Sequence, residues 1–200
     1  MLAALVGSND TAVMQERIFE RLTAVGLPVD EAQAAMLAEF IELMLHWNAV
    51  HNLTSITDEE DLIERHLVES LAFTPYLNGD RVADVGSGAG LPGVPLAITN
   101  ADLEFTLIES RGKRASFLEH VRGTLRLDNV SVEHARAENL PPGAAFATVL
   151  ARAVAAPSKL IGLTQHLLAE SGILLVLTRA DYDVEQLVGG FRARVADDPV

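Results

Sequence analysis

Asp84-Val85-Gly86-Ser87-Gly88-Ala89-Gly90-Leu91-Pro92-Gly93 is the stretch on which the fold of this chain turns. Val82-Ala83 lead into it as an apolar run, four glycines fall within eight residues, and Leu96-Ala97-Ile98 follow. A strand that ends in such a loop and resumes as a helix can bring its backbone close to a ligand, because glycine has no Cβ and accepts positive φ. The spacing is G-x-G-x-G, not the G-x-G-x-x-G of dinucleotide folds. An acid ahead of the first glycine, Asp84, and the short spacing to the third point to S-adenosylmethionine rather than NAD. That ligand has no pyrophosphate, and Pro92 and Pro95 remove two backbone donors where a phosphate cradle would use them. A dinucleotide loop and a purely structural turn stay open as alternatives.

Composition narrows the class. Two hundred residues suit one domain, or one domain with an extension. Hydrophobic content of 49% and charge of 22% describe an ordinary globular chain. The absence of cysteine excludes disulfides and thiolate metal sites and fits a reducing cytoplasm. The apolar start, Met1 to Val6, is too short for a signal sequence, and no apolar run approaches the ~18 residues a membrane span requires. A cytoplasmic location without a membrane partner is expected. The net charge of −13 is unevenly placed: residues 1–80 hold 3 Lys/Arg against 14 Asp/Glu, and residues 81–200 hold 12 against 14. A global basic footprint for nucleic acid is therefore missing. A local one exists between Arg111 and Arg126, where five basic residues face one acid, Glu119.

Patterning divides the chain. Residues 1–79 read as a helical extension. Ser8, Asn9 or Asp10 can cap a helix running to about Val25, stopped by Gly26. Asp30 can cap a second, whose Met36, Leu37, Phe40, Ile41, Met44 and Leu45 follow helical period, with Trp47 at the end of that apolar face. Thr57-x-x-Glu60 reads as a capping box for a third, and Pro75 with Asn78-Gly79-Asp80 ends it. From residue 80 to 200 strands and helices alternate. Strands are expected near 81–85, 103–109, 129–133, 146–151 and 172–178, and helices near 93–99, 112–126 and 157–169. This pattern implies an α/β fold, a Rossmann-like parallel sheet with right-handed crossovers. Ligands in such sheets lie beyond the carboxyl ends of the strands.

That rule selects the candidate site residues. Asp84 ends the first strand, where it can brace the loop or meet a cofactor ammonium. Gly86, Gly88 and Gly90 form the loop. Glu109 ends the second strand, where a carboxylate can accept both ribose hydroxyls. Ala137-Glu138 follow the third strand, as an adenine platform or a helix-capping acid. Arg152 follows the fourth and suits phosphate or guanine O6, or an ion pair with one of many acids. The basic helix 112–126 is a solvated face or an RNA-backbone contact. The six histidines show no metal spacing, so no metal is assigned.

Taken together these residues resemble the RsmG family, also called GidB, bacterial methyltransferases that act on small-subunit ribosomal RNA. The resemblance runs from about residue 40 to 178. It is carried by Trp47-Asn48, Asn52-Leu53-Thr54-Ser55, Arg65-His66, Asp84 to Pro95, Gly112-Lys113-Arg114 with Phe117-Leu118, and Arg152-Ala153. It implies the class I S-adenosylmethionine-dependent methyltransferase fold with a helical N-terminal extension. It implies methyl transfer to N7 of one guanine in the decoding-region loop of 16S ribosomal RNA, naked or within the small ribosomal subunit, by a monomer. Loss of that activity in the family is linked to low-level streptomycin resistance. Carried over by position, the cofactor contacts are Gly86, Leu91, Ala137-Glu138 and Arg152. Arg152 is the expected catalytic residue, and Arg65, His66, Lys113 and Arg114 are the RNA candidates, with an interdomain hydrogen bond the favoured alternative for His66.

Three departures stand out. Glu69 occupies a position where the family commonly has Asp, Thr178-Arg179 stands where it often has Lys-Gly, and its two closing strands are not found, so a shortened C-terminus is expected. These keep open a catalytically impaired ribosome-assembly factor. A class I methyltransferase for another acceptor and, less in keeping with the loop, an NAD-linked oxidoreductase are the other readings.

Overall fold

The structure, a computed structural model, describes residues 7–143, 145–152 and 157–177. Ala153 and Thr178-Arg179, named above, lie outside the described residues.

α1 (Gly7–Ala24) ends where Gly26 takes a φ of +75°. Ser8, Asn9 and Asp10, expected as its caps, lie inside it. α2 (Glu31–His51) opens with the predicted Asp30 cap: the Gln33 backbone N–H donates to the Asp30 carboxylate at 2.7 Å, and the Asp30 N–H donates to Gln33 Oε1 at 3.0 Å. Its buried row is Ala34, Leu37, Ala38, Phe40, Ile41 and Met44, with Met36 and Leu45 only partly covered. The next helix, α3 (Glu59–Leu62), is capped by Asp58 rather than Thr57; its carboxylate accepts from both Glu60 N and Asp61 N. A charged acceptor bonding two of the free N–H groups of the first turn explains the shift. α3 then widens into a π-helical turn, Ile63–Val68, in which the Glu69 N–H reaches Glu64 O, and narrows again into α4 (Glu69–Leu71). Ion pairs from Arg17 to Glu59 (2.6 Å) and from Arg21 to Glu64 tie α1 to this segment.

The remainder alternates as predicted: β1 (Arg81–Val85), α5 (Gly93–Thr99), β2 (Glu104–Ile108), α6 (Gly112–Leu125), β3 (Val130–Glu133), β4 (Phe146–Arg152), α7 (Pro157–Thr164) and β5 (Leu168–Leu177). The five strands form one sheet in the order β3-β2-β1-β4-β5, every pair parallel. β5 starts at Leu168, earlier than expected, and a register shift between Phe146 and Thr148 accommodates it. Four of five β1 residues are buried, as a strand flanked on both edges and covered on both faces requires.

Strand alternation sends side chains into two cores. Val82, Phe105, Leu107, Val130 and Leu150 join one apolar cluster with Phe40 of α2, Leu96 of α5 and Phe117 of α6, so residues of 1–79 and of 80–200 share a single interior. Ala83, Val85, Ile108 and Val149 form the second, on the opposite face, with Leu167. Each fully buried phenylalanine contributes about 1.5–3 kcal/mol. The consequence for the site is geometric. Chain order runs outward from β1 to β2 and β3 on one side and continues at β4 on the other, so a crevice opens at the carboxyl ends of β1 and β4.

Candidate active site

The glycine loop leaves β1 at this crevice. Gly86, Gly88 and Gly90 have φ of +71°, +58° and +86°, a region that side chains with a Cβ rarely enter. The loop is braced from within. Gly86 N donates to Ile108 O at 2.8 Å, and Gly90 N and Leu91 N both donate to Ser87 O, at 2.7 and 3.1 Å. Leu91 is half-buried and packs against the main core. Glu109 is 4% exposed and fastens the loop to the start of α6: Oε2 accepts from Gly88 N at 3.0 Å and Oε1 from Arg111 N at 2.7 Å. Each carboxylate oxygen retains a lone pair, so Glu109 still has capacity for a ligand's hydroxyls.

Asp84 is 1% exposed. Oδ2 accepts from Gly93 N at 3.1 Å, while Oδ1 is buried with no hydrogen-bond partner. Burial pushes the carboxyl up to about 7, against the pull of the Gly93 N–H and of the Arg152 charge. The close fit has a cost in tolerance: a Cβ on Gly93 would lie 2.7 Å from Asp84 Oδ2 and inside contact distance of Leu107 Cδ2.

Next to the loop is a cleft of about 170 Å3, bordered by Gly86, Ile108, Ser110, Ala137, Glu138 and Leu163. It brings Gly86 together with Ala137-Glu138, which belong to a short 3-10 turn, Ala137–Asn139. Ala137 is buried and its carbonyl meets His166 Nε2 at 3.1 Å; Glu138 is exposed and 3.8 Å from Arg136. A larger cleft, about 250 Å3, lies at the amino ends of the strands around Arg81, Glu104 and Asn129. None of the loop or strand-end residues border it.

Arg152, at the end of β4, is turned toward the helical segment. Nη2 donates to Arg65 O at 2.7 Å and sits 3.0 Å from Glu69 Oε2, while Nη1 is buried without a partner. Burial lowers its pKa, with Glu69 opposing. The ion pair weighed in the sequence is thus present, and its acid is Glu69. Arg65 is exposed. His66 is not: at 4% exposure its Nε2 meets Thr54 Oγ1 at 3.0 Å, and burial lowers its pKa to about 4, leaving a neutral ring at neutral pH. Of the two readings of His66, the RNA contact is not met, since the ring lies in the interior, and the hydrogen bond it makes is to Thr54 within the helical extension rather than across to the sheet. Thr54 N in turn donates to Asn48 Oδ1 at 2.9 Å, and Ser70 Oγ donates to His66 O. Asn48, Thr54, His66 and Ser70 therefore form one hydrogen-bonded run beside Arg152. Lys113 is exposed on α6, and Arg114 lies over the loop, its Nη1 3.5 Å from where a Cβ on Gly88 would be. Trp47 stacks at tilted angles on Phe117 and His120 and packs on the core, as expected.

Sequence reasoning noticed Glu69 without its partner, and it missed that Gly93 holds Asp84. The signal for Gly93 was its place nine residues after Asp84 in a loop returning to the same strand end. The Glu69–Arg152 pair spans two elements far apart in sequence and carries no local signal. Chemically, the crevice presents a buried carboxylate and a half-buried guanidinium, each with one buried polar atom unspent. That suits a ligand bearing both an ammonium and a carboxylate.

Comparison with known proteins bears on the family and on the fold. A family model described as GidB, rRNA small subunit methyltransferase G, matches residues 33–193. The ribosomal RNA small subunit methyltransferase G of Legionella pneumophila (strain Corby) is 40% identical over 166 residues, 83% of this chain and 78% of that one. Its counterpart in Cronobacter sakazakii (strain ATCC BAA-894) is 38% identical over 172 residues, 85% and 83% of the two chains. Among solved structures, coclaurine N-methyltransferase bound to N-methylheliamine and SAH superposes with a TM-score of 0.53 at 15% identity, covering 84% of this chain and 58% of that one. The [4+2]-cyclase SpnF does so with a TM-score of 0.52 at 21% identity, covering 78% and 68%. At such identities these two speak to the fold alone, a parallel α/β sheet of the class I methyltransferase type.

Proposed function

Because the chain belongs to the GidB family, rRNA small subunit methyltransferase G, we propose that it transfers a methyl group from S-adenosylmethionine to N7 of one guanine in the decoding-region loop of 16S ribosomal RNA. The observation that carries the reading is the pair of unspent buried atoms, Asp84 Oδ1 and Arg152 Nη1, at the crevice where the glycine loop ends. The residues fit the cofactor. Asp84 Oδ1 suits its ammonium and Arg152 Nη1 its carboxylate. The remaining lone pairs of Glu109 suit the ribose hydroxyls. The cleft of Gly86, Ala137 and Glu138 suits adenine, with Gly88, Gly90 and Leu91 shaping the backbone beneath.

When bound, S-adenosylmethionine supplies a methyl group already activated on a sulfonium. Guanine N7 has a free lone pair and no proton, so no residue of this chain has to act as a base before attack. The work left to the protein is alignment and a field suited to charge leaving sulfur. Arg152 serves the first by its fixed place at the end of β4, and buried Asp84 serves the second. N7 lies on the Hoogsteen edge, so the guanine is unstacked from its loop to reach the crevice. Exposed Arg65 and Lys113, with Arg114 over the loop, are the groups we assign to RNA phosphates. On this reading residues 80–200 hold the donor, and both segments meet the acceptor, through Arg65 on one and Lys113 and Arg114 on the other.

The test is tritium transfer from labelled S-adenosylmethionine to small ribosomal subunits from a strain lacking the endogenous enzyme, with free RNA and bulk protein alongside. Label recovered as N7-methylguanine is the expected result. Cofactor binding with no label in RNA would move the assignment to another acceptor or to an assembly factor without catalysis.

A further inference from the structure

Arg152 is held by one arm. Its Nη2 donates to Arg65 O at 2.7 Å and pairs with Glu69 Oε2 at 3.0 Å; its Nη1 is buried and has no partner among the described residues. A guanidinium is a rigid planar fork, so fixing one arm fixes the direction of the other. Sheet register says what lies beside it. Asp84 is level with Leu150 in the β1–β4 pairing, and Leu150 and Arg152 share a face by strand alternation. The charges of Arg152 and Asp84 act on each other across this short span. On the holding side, Arg65 belongs to the π-helical turn Ile63–Val68, and Glu69 follows it directly. That turn is pinned by His66 to Thr54 and by Ser70 Oγ to His66 O. The Glu69 side chain is 38% exposed, does not border the cleft, and among the described residues pairs with Arg152.

We propose that Glu69 is a positioning residue of the methyltransferase site: with the Arg65 carbonyl it grips one arm of Arg152 and so aims the other at the amino-acid end of the cofactor. This rests on the reading that the cofactor's amino-acid end lies between Asp84 and Arg152. The holding elements come from the helical extension and the held residue from the sheet, so the extension completes the donor site as well as meeting the acceptor.

The experiment is a double-mutant cycle on the full chain with Glu69→Gln, Arg152→Ala and the pair, with Glu69→Asp as the conservative variant. Calorimetric affinity for S-adenosylmethionine and S-adenosylhomocysteine is read without any acceptor, and kcat and KM are read on small subunits. Glu69→Gln is expected to weaken cofactor binding and lower kcat by roughly tenfold each, with a melting temperature close to wild type. Glu69→Asp should recover most of the loss, and the double variant should be no worse than Arg152→Ala. A structural role alone would give losses that multiply in the double variant, and that result overturns the proposal. So does a Glu69→Gln protein with wild-type affinity and kcat. If wild type binds cofactor yet methylates no subunit RNA, the rRNA reading fails, and the affinity cycle still decides the role of Glu69.

Discussion

At the amino ends of the strands, Asn129 gives its side-chain amide to Ala97 O and Leu103 O, both at 3.1 Å, and to Asn100 O at 3.4 Å. Close by, Thr148 Oγ1 accepts from Asn78 N and donates to Asn78 O, each at 2.8 Å. At the carboxyl ends, Asp84 is buried and the Arg152 side chain is 17% exposed, yet each leaves one buried polar atom with nothing to bond among the described residues. One end spends its buried polar groups on closing the fold. The other holds them in reserve, at the cost of an unsatisfied atom apiece. The contrast, rather than cavity size, supports the proposed site, since the larger cleft lies at the satisfied end.

The sharpest way to break this contrast is Arg152→Ala. Methyl transfer to small subunits should fall by roughly a hundredfold or more in kcat/KM, while urea unfolding shifts by no more than about 1 kcal/mol, because the arginine is incompletely satisfied to begin with. The amino end should behave in the opposite way. Asn129→Ala removes three acceptors' partner and should cost about 2–3 kcal/mol of stability, with kcat/KM within about twofold of wild type where the variant remains folded. Equal losses of stability and activity at both ends would erase the distinction.

Acid–base behaviour sharpens it further. Asp84 binds its proton up to about pH 7 in the folded chain and only to about 4 unfolded. The folded state therefore holds more protons across that interval, so its stabilising contribution is complete below about pH 4 and is lost as pH rises through about 7. His66 works in the other direction. Lowered to about 4, it contributes fully above about 6.5 and loses that contribution as pH falls through about 4. The two oppose each other between about pH 4 and 6.5. Denaturation curves from pH 4.5 to 8 should show Asp84→Asn removing the alkaline decline and steepening the acid one; parallel curves would mean that the Asp84 carboxyl is ordinary. The smallest effect is expected at the rim. Lys113→Ala should leave cofactor affinity unchanged and lower the slope of log affinity for RNA against log salt by about one, which filter binding across a salt series would measure.

The parallel α/β order, the loop and the strand ends were legible because a buried strand writes a short apolar run and glycine writes its own φ. Asp84, Glu109 and Arg152 were chosen as candidates by their places after strands, a topological rule that needs no partner. What stayed hidden was pairwise and distant. The π-helical turn leaves no mark on hydrophobic period, and the Arg65 carbonyl it carries is taken by a side chain 87 residues away. His66 stood among the RNA candidates beside Arg65 because sequence adjacency says nothing of which neighbour turns inward. The cap moved from Thr57 to Asp58 because two adjacent residues offered oxygen to the same amides. β5 began early because Leu168-Ala169-Glu170-Ser171-Gly172 has no clean alternation and its pairing passes through a register shift.

Gly93 has a consequence for inheritance. Every glycine codon becomes an alanine codon by one base change, and here the added methyl would press on the Asp84 carboxylate and on Leu107 from behind the crevice. The smallest side-chain addition there is can therefore disturb the site at a residue that holds Asp84 by its backbone alone. A survey of alleles that watched only the charged residues would pass over it.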